Sequence, residues 1–284
     1  MERSDGSGMA RSEPRGLIVI AVPIPLNIIY KHRTLILELV KRELRDRHVG
    51  QLLGTLWAYG HPVLLMLMYS FLFAYVFPTR SDSSTGQRDF AVSVLSGIVS
   101  WLPFQDLLAR STAIMSSHAS LVKQIVFPIE VLPIKTAIAS ACPYSFALLF
   151  TIGYAALHGS LTIMVLTVPF LIIIQLIAMI GVAFMLSALG IFLRDLRDLV
   201  TVFCTINLFM QPILYSPYAV PNIMNLVFHF NPFSYQVWCW QDALFYGNFQ
   251  HPVAWIIFPL CAIASLASGW AIFSRLRHNF GDAL

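Results

Sequence analysis

Apolar runs of membrane-spanning length alternate along this chain with short polar gaps. Six such runs stand out, at approximately Leu56 to Phe77, Phe90 to Leu108, Thr136 to Leu157, Leu161 to Leu189, Leu199 to Ser216 and Val253 to Ser274. A helix rises about 1.5 Å per residue and a bilayer core is about 30 Å thick, so roughly 20 apolar residues suffice to cross it. The pattern predicts an all-α integral membrane protein with six transmembrane helices. The second and fifth runs are short, which calls for tilt or a locally thinned bilayer.

The region before the first run has a different rhythm. In TLILELVKRELRDRHVG, Ile36, Val40 and Leu44 recur at helical spacing, with Leu37 and Leu39 beside them. Glu38, Lys41, Arg42, Arg45 and Asp46 form the opposite face. An amphipathic helix over residues 31–50, lying on the cytoplasmic membrane surface, follows from that split. Glu38 with Arg42 and Glu43 with Arg47 stand at i,i+4 in the favourable order. Residues 1–30 form an N-terminal tail. Its apolar part, Leu17 to Tyr30, contains Pro23 and Pro25, lacks a small-residue cleavage site and is too short to span, so it is expected to be a loose or interfacial lead-in. Residues 51–284 make up the six-span transmembrane domain.

The charges orient this arrangement. Of eighteen Lys and Arg residues, thirteen fall in residues 31–47, in the 110–135 and 194–198 gaps and after the last run, whereas only Arg80 and Arg88 lie on the other side and the remaining three belong to the tail before Leu17. The positive-inside rule then puts both termini in the cytoplasm. With 57% apolar and 11% charged residues, the composition fits lipid as solvent and leaves no room for a second large soluble domain.

Several chemistries are disfavoured. The span interiors carry almost no acid, base or histidine of the kind an ion-coupled pump uses; Asp106, Lys135 and His61 stand near span ends and are expected at the interface. No HExxH, GxSxG or GxxxxGK[ST] motif is present, so neither hydrolysis nor nucleotide binding is expected of this chain. Cys142, Cys204, Cys239 and Cys261 are scattered singly among apolar residues and are expected to pack. Neither a catalytic residue nor a metal site is expected. A transporter of this make-up takes its free energy from a partner.

Several strings, in order, resemble the permease subunit of type-2 ABC exporters, specifically those for polysaccharides such as O-antigen, capsule, teichoic acid or galactan. They are VKRELRDRHVGQLLGTLWAYGHP, with Arg42, Glu43, Leu44, Leu53, Gly54, Leu56, Trp57, Ala58 and Pro62; SSHASLVKQIVFPIEVLPIK, with Phe127, Pro128, Glu130, Leu132 and Pro133; GIFLRDLRDLV, with Arg194 and Asp195; QPILYSP; and FNPFSYQVWCWQDALFYG, around Asn231 and Pro232. The resemblance runs from about Leu35 onward. The chain departs from it at Ile129, where a basic residue is common, and at Gln211, where Thr often precedes Pro.

The resemblance implies a coupling helix in the loop 110–135 that docks on the ATPase, through Lys123, Gln124, Phe127, Pro128 and Glu130, with Arg42, Glu43 and Arg45 (and Asp46) as a second contact surface. Prolines 128 and 133 stop or redirect a helix there. Residues 217–252 hold no Lys or Arg, one acid and ten aromatic residues, too apolar for a free external loop. They are expected to dip back as re-entrant helices between spans five and six, and the resemblance implies a gate around Asn231, Pro232, Trp238 and Trp240.

Aromatic residues on the first two spans, Trp57, Tyr59, Tyr69, Phe73, Trp101 and Phe104, are candidates for a path along which pyranose faces slide. Arg42 and Arg45 are candidates for receiving the diphosphate of a polyprenol-linked glycan. Six spans enclose a polymer poorly, so a homodimer with two P-loop ATPase chains is expected, ATP and Mg belonging to those chains. No nucleic acid is expected as a partner. Two other functions fit less well: a type-2 permease for a drug, lipid or haem-related substrate, and an integral-membrane enzyme of glycan or lipid modification.

Overall fold

The structure is a computed structural model and describes residues 24–47, 50, 54, 56–76, 90–122, 127–193, 195–215, 220 and 222–280. Every regular element among them is helical. Two N-terminal helices, α1 (Ile24–Lys31) and α2 (Arg33–Asp46), precede α3 (Leu56–Phe71), which continues through a π turn to Val76. Then come α4 (Phe90–Ser111), the short α5 (Ile114–Ser117) and α6 (Ala119–Val122), α7 (Val131–Ala141), α8 (Tyr144–Leu157) and α9 (Val168–Phe192). The chain ends with α10 (Leu196–Phe209), α11 (Asn222–Phe230), α12 (Pro232–Gln241) and α13 (Ala254–Leu276). Most of the tail 1–30 and the segment 77–89 lie outside the described residues.

Among the described residues, five stretches are long and apolar enough to cross a membrane: Leu56–Val76, Phe90–Ser111, Val131–Leu157, Ile163–Phe192 and Ala254–Asn279. The protein is therefore a multi-pass membrane protein. The second stretch is not short after all, because its helix runs on through Asp106 and Arg110 to Ser111. The third is two helices, interrupted at Cys142 and Pro143, where proline withholds a backbone donor. The run expected as a fifth span holds only the 14-residue α10, about 21 Å long and shorter than a bilayer core. It gives way at Met210, just before Pro212.

Helix α4 is the axis of the fold, with every residue from Phe90 to Trp101 buried. Ser93, Ser96, Gly97 and Ser100 keep its surface small, so α7, α8, α9 and α12 approach closely around it. Pro103 has no N–H, so the Val99 carbonyl lacks its helical donor. The neighbouring Ser100 carbonyl accepts from two side chains, Gln175 Nε2 on α9 at 3.0 Å and Gln236 Nε2 on α12 at 2.7 Å. Three helices are thereby tied at one depth.

The most extensive helix pair is α9 with α13. Gly181 and Gly269 face each other there with no room for a Cβ on either, and Ser265 Oγ donates to the Ala178 carbonyl at 3.0 Å. Where lipid offers no hydrophobic drive for helix pairing, such backbone proximity supplies the contact. Large apolar side chains on the outer faces, among them Leu64, Leu149, Ile173, Phe203 and Ile256, remain exposed, as a lipid-facing surface requires.

Candidate functional site

Helix α2 buries Ile36 and Val40 and packs on α7. Its charge pairing differs from the expected one: Glu38 bonds Lys41 at 3.2 Å and Arg42 bonds Asp46 at 3.4 Å, so Glu38 does not serve Arg42. The Glu43 and Arg47 pair forms as expected, at 2.7 Å, but it faces inward. Glu43 also meets Lys135 Nζ at 2.7 Å, and the Lys135 side chain is only 4% exposed. Lys135 is thus buried, not interfacial.

From Arg47 the network continues into the helical core. Its guanidinium donates to the Ala139 carbonyl at 3.2 Å and meets Asp106 at 3.5 Å, while Arg110 Nε holds the same carboxylate at 2.8 Å. His118, between α5 and α6, completes the cluster. Its Nδ1–H donates to the Ile114 carbonyl at 3.0 Å, which leaves Nε2 to accept from Lys135 Nζ at 3.3 Å. One ionic cluster thereby fastens α2 to α4 and α7 and to the loop after α4.

Burial pulls Glu43 upward, yet Lys135 and Arg47 outweigh it and hold the carboxyl below its ordinary range. Burial, followed by the adjacent Lys135 charge, pushes the His118 imidazole below its ordinary value.

Cavities open on two sides of this cluster. One of about 660 Å³ is bordered by Arg42, Glu43, Arg47, Ser117, His118 and Lys135. The other, of about 400 Å³, is bordered by Trp57, His61, Pro62, Asp106 and Tyr144. Arg47 and Arg110 line both.

The residues expected to couple to an ATPase divide into groups. Arg42 and Arg45 point outward and are exposed, whereas Glu43 is turned into the cluster and is committed to Lys135 and Arg47. Phe127, Pro128 and Glu130 lead into α7, and Glu130 is bridged at 2.9 Å to Arg277 at the end of α13. Lys123 and Gln124 lie outside the described residues.

The aromatic path candidates also part company. Trp57 lines the 400 Å³ cavity. Tyr59 packs on Phe146 at 4.7 Å, Tyr69 lies against the core, and Phe73 meets Phe90 at 5.9 Å. Trp101 and Phe104 are buried within the subunit, their rings edge-on to Phe233 of α12 at 5.2 and 5.4 Å. Packing against α12 takes up both rings, so neither offers a face to a passing sugar in this structure.

At the opposite end, α11 and α12 form a tight helix pair whose bend is Asn231 and Pro232. Asn231 Oδ1 caps α12 by accepting from the Phe233 N–H at 3.1 Å, and its Nδ2 donates to Asn207 Oδ1 at 2.7 Å and the Met210 carbonyl at 3.0 Å. Pro232 occupies the first helical turn, where its missing N–H costs nothing. Trp240 is buried among α4, α8 and α9, bordering a cavity of about 90 Å³. Trp238 is also buried, with His229 and His251 beside its ring.

Several participants were not singled out from sequence: Arg277, His118, Gln175, Gln236 and His251. Their partners lie up to 147 positions away, so only a polar residue standing in an apolar run, as with Gln175, marks them in advance.

The fold and these clusters define a multi-pass membrane protein with a charged, layered base and a helix pair across its other end. The chain belongs to the ABC-2 type transporter family, which it matches over residues 34–245. It is 28% identical over 264 residues to an O-antigen export system permease protein RfbA of Myxococcus xanthus, covering 90% of this chain and 97% of that protein. A protein of the same description from Klebsiella pneumoniae is 23% identical over 252 residues, covering 88% of this chain and 95% of the relative. Family membership implies a partnership with an ABC ATPase subunit.

Proposed function

We propose that this chain is the transmembrane permease of an ATP-driven exporter that moves lipid-linked polysaccharide across the cytoplasmic membrane. The observation that carries this reading is similarity to two O-antigen export permeases over nearly the whole of each protein. In this account both termini are cytoplasmic, and the layer of α2, α5 and α6 faces the cytoplasm. Helix α10 with the bend at residues 210–215 makes the short fifth of six crossings. Helices α11 and α12 re-enter the outer leaflet and form the external gate.

The chain works as a homodimer with two ATPase chains. Arg42, Arg45 and the loop ending at Phe127, Pro128 and Glu130 meet the ATPase. The ionic cluster makes that layer stiff, so that motion of the partner is transmitted to α4 and α7 and not absorbed in α2. Bridging of Glu130 to Arg277 extends the same layer to the last helix. Arg42 and Arg45 supply positive charge for the diphosphate of a polyprenol-linked glycan, and Arg42 borders the 660 Å³ cavity.

Gentle extraction of the tagged chain from its native membrane, followed by mass spectrometry, tests this. A near-stoichiometric P-loop ATPase is the expected companion. Its repeated absence from intact, monodisperse protein would remove the reading.

A further inference from the structure

The cavity between α11, α12 and the start of α13 has no part in the account so far. Its volume is about 530 Å³, inside the range of small-molecule sites, about 300–1,000 Å³. His229, Tyr235, Trp238, Tyr246, Gln250 and His251 are among its walls. Between residues 217 and 252 there is no Lys or Arg, and the single acid, Asp242, is fully buried.

That acid shows the cavity to be a built feature. Asp242 accepts from the His251 backbone N–H at 3.0 Å, from His251 Nδ1 at 2.9 Å and from Trp255 Nε1 at 3.0 Å. Burying a carboxylate is costly, and the three bonds fix one loop and two rings, those of His251 and Trp255. The His251 ring is held flat on Trp238, 10° from parallel with centroids 5.2 Å apart, and Tyr246 stands across it at 5.6 Å. With Nδ1 taken by Asp242, His251 keeps Nε2 for another partner, and its side chain is 29% exposed. Gln250 adds an exposed amide at the mouth.

We propose that this cavity binds an uncharged stretch of glycan on the external side, a site apart from the aromatic path on the first spans. Pre-set rings offer apolar faces to sugar C–H groups. Imidazole Nε2 and amide groups match hydroxyls, which both donate and accept. Among the described lining residues there is no Lys or Arg to offset the desolvation of an anionic ligand. The proposal rests on the polysaccharide export reading and assigns the external helix pair a holding role as the chain emerges.

The test uses the permease with its ATPase in lipid nanodiscs. The probe is neutral oligosaccharide, released by mild acid from the envelope polysaccharide of the source cells and cleared of charged fragments by anion exchange. Oligogalacturonate is the anionic comparison. Tryptophan fluorescence reports saturable binding of the neutral probe. Gln250→Trp, which fills the mouth from an exposed position, and Tyr246→Leu each weaken it about tenfold or more in complexes of unchanged Tm. The anion binds more weakly than the neutral probe.

Equal binding by wild type and both variants, or no preference over the anion, overturns the site. If the wild-type complex still moves glycan on ATP addition, the export reading survives that result. Absence of both binding and movement removes the two together.

Discussion

Replacing Lys135 by Met removes one charge from a pair that is almost out of water, with the Lys135 side chain 4% and the Glu43 side chain 15% exposed. Breaking a buried pair by deleting one partner costs about 3–5 kcal/mol, since the survivor is left uncompensated. Glu43 keeps Arg47 at 2.7 Å and a little solvent, which puts Lys135→Met at or just below the lower end of that range, about 2–3 kcal/mol. Glu43→Leu costs more, about 3–5 kcal/mol, because Lys135 is then left with His118 as its remaining polar neighbour in the cluster. For a chain of this size about 1 kcal/mol shifts Tm by about 2–4 °C. Thermal unfolding of the purified single and double variants in one detergent therefore resolves a double-mutant cycle. The double variant Glu43→Leu with Lys135→Met should recover part of the loss, with a coupling of about 1.5–3 kcal/mol. Coupling below about 0.5 kcal/mol, or an unchanged Tm for Lys135→Met, would refute the claim that this pair clamps α2 to α7.

Other expectations follow from the same geometry. His118 is held below its ordinary pKa, so the unfolded chain takes up a proton before the folded one does, and stability falls as pH drops below about 6.5; Glu43, also depressed, adds a further loss as pH falls from the ordinary carboxylate value through the lowered one. Unfolding scans should show His118→Gln flattening the first of these slopes and leaving the second. Gly269→Ala drives a methyl group into the Gly181 carbonyl of the facing helix and should cost about 1–3 kcal/mol, read as a Tm loss that the same change at Gly153, which has open space, does not produce. Gln236→Leu should cost about 0.5–1.5 kcal/mol by removing one donor to Ser100, and Gln236→Glu more than that, because a carboxylate cannot donate to a carbonyl.

Much of this architecture was legible in hydropathy alone, because lipid forces backbone hydrogen bonds inside each segment and so makes every crossing a long apolar run. The helix over Arg33–Asp46 was equally legible from its 3.6-residue rhythm. What hydropathy cannot show is where an apolar run breaks. Leu199 to Ser216 is predominantly apolar and carries no charge, yet its helix ends at Phe209, ahead of Pro212, and the run through residues 136–157 is broken at Pro143. Side-chain direction was the other gap. Trp101 and Phe104 are aromatic residues of the right type for a sugar path, but the face each occupies is decided by Phe233, 129 or more positions away. Lys135 looked interfacial because its counter-charge comes from Glu43 on a helix that sequence places at the membrane surface. Glu43 in turn looked like an outward contact beside Arg42 and Arg45, since a helical wheel does not reveal which polar residue faces a buried cation.

ATP-driven glycan movement tests the central claim most directly. Inside-out vesicles carrying the permease and its ATPase would be given labelled polyprenol-linked polysaccharide and ATP. The account predicts glycan protected inside the vesicles only when ATP can be hydrolysed and both proteins are present. Glycan that stays outside under those conditions, with the complex intact and hydrolysing ATP, would contradict it.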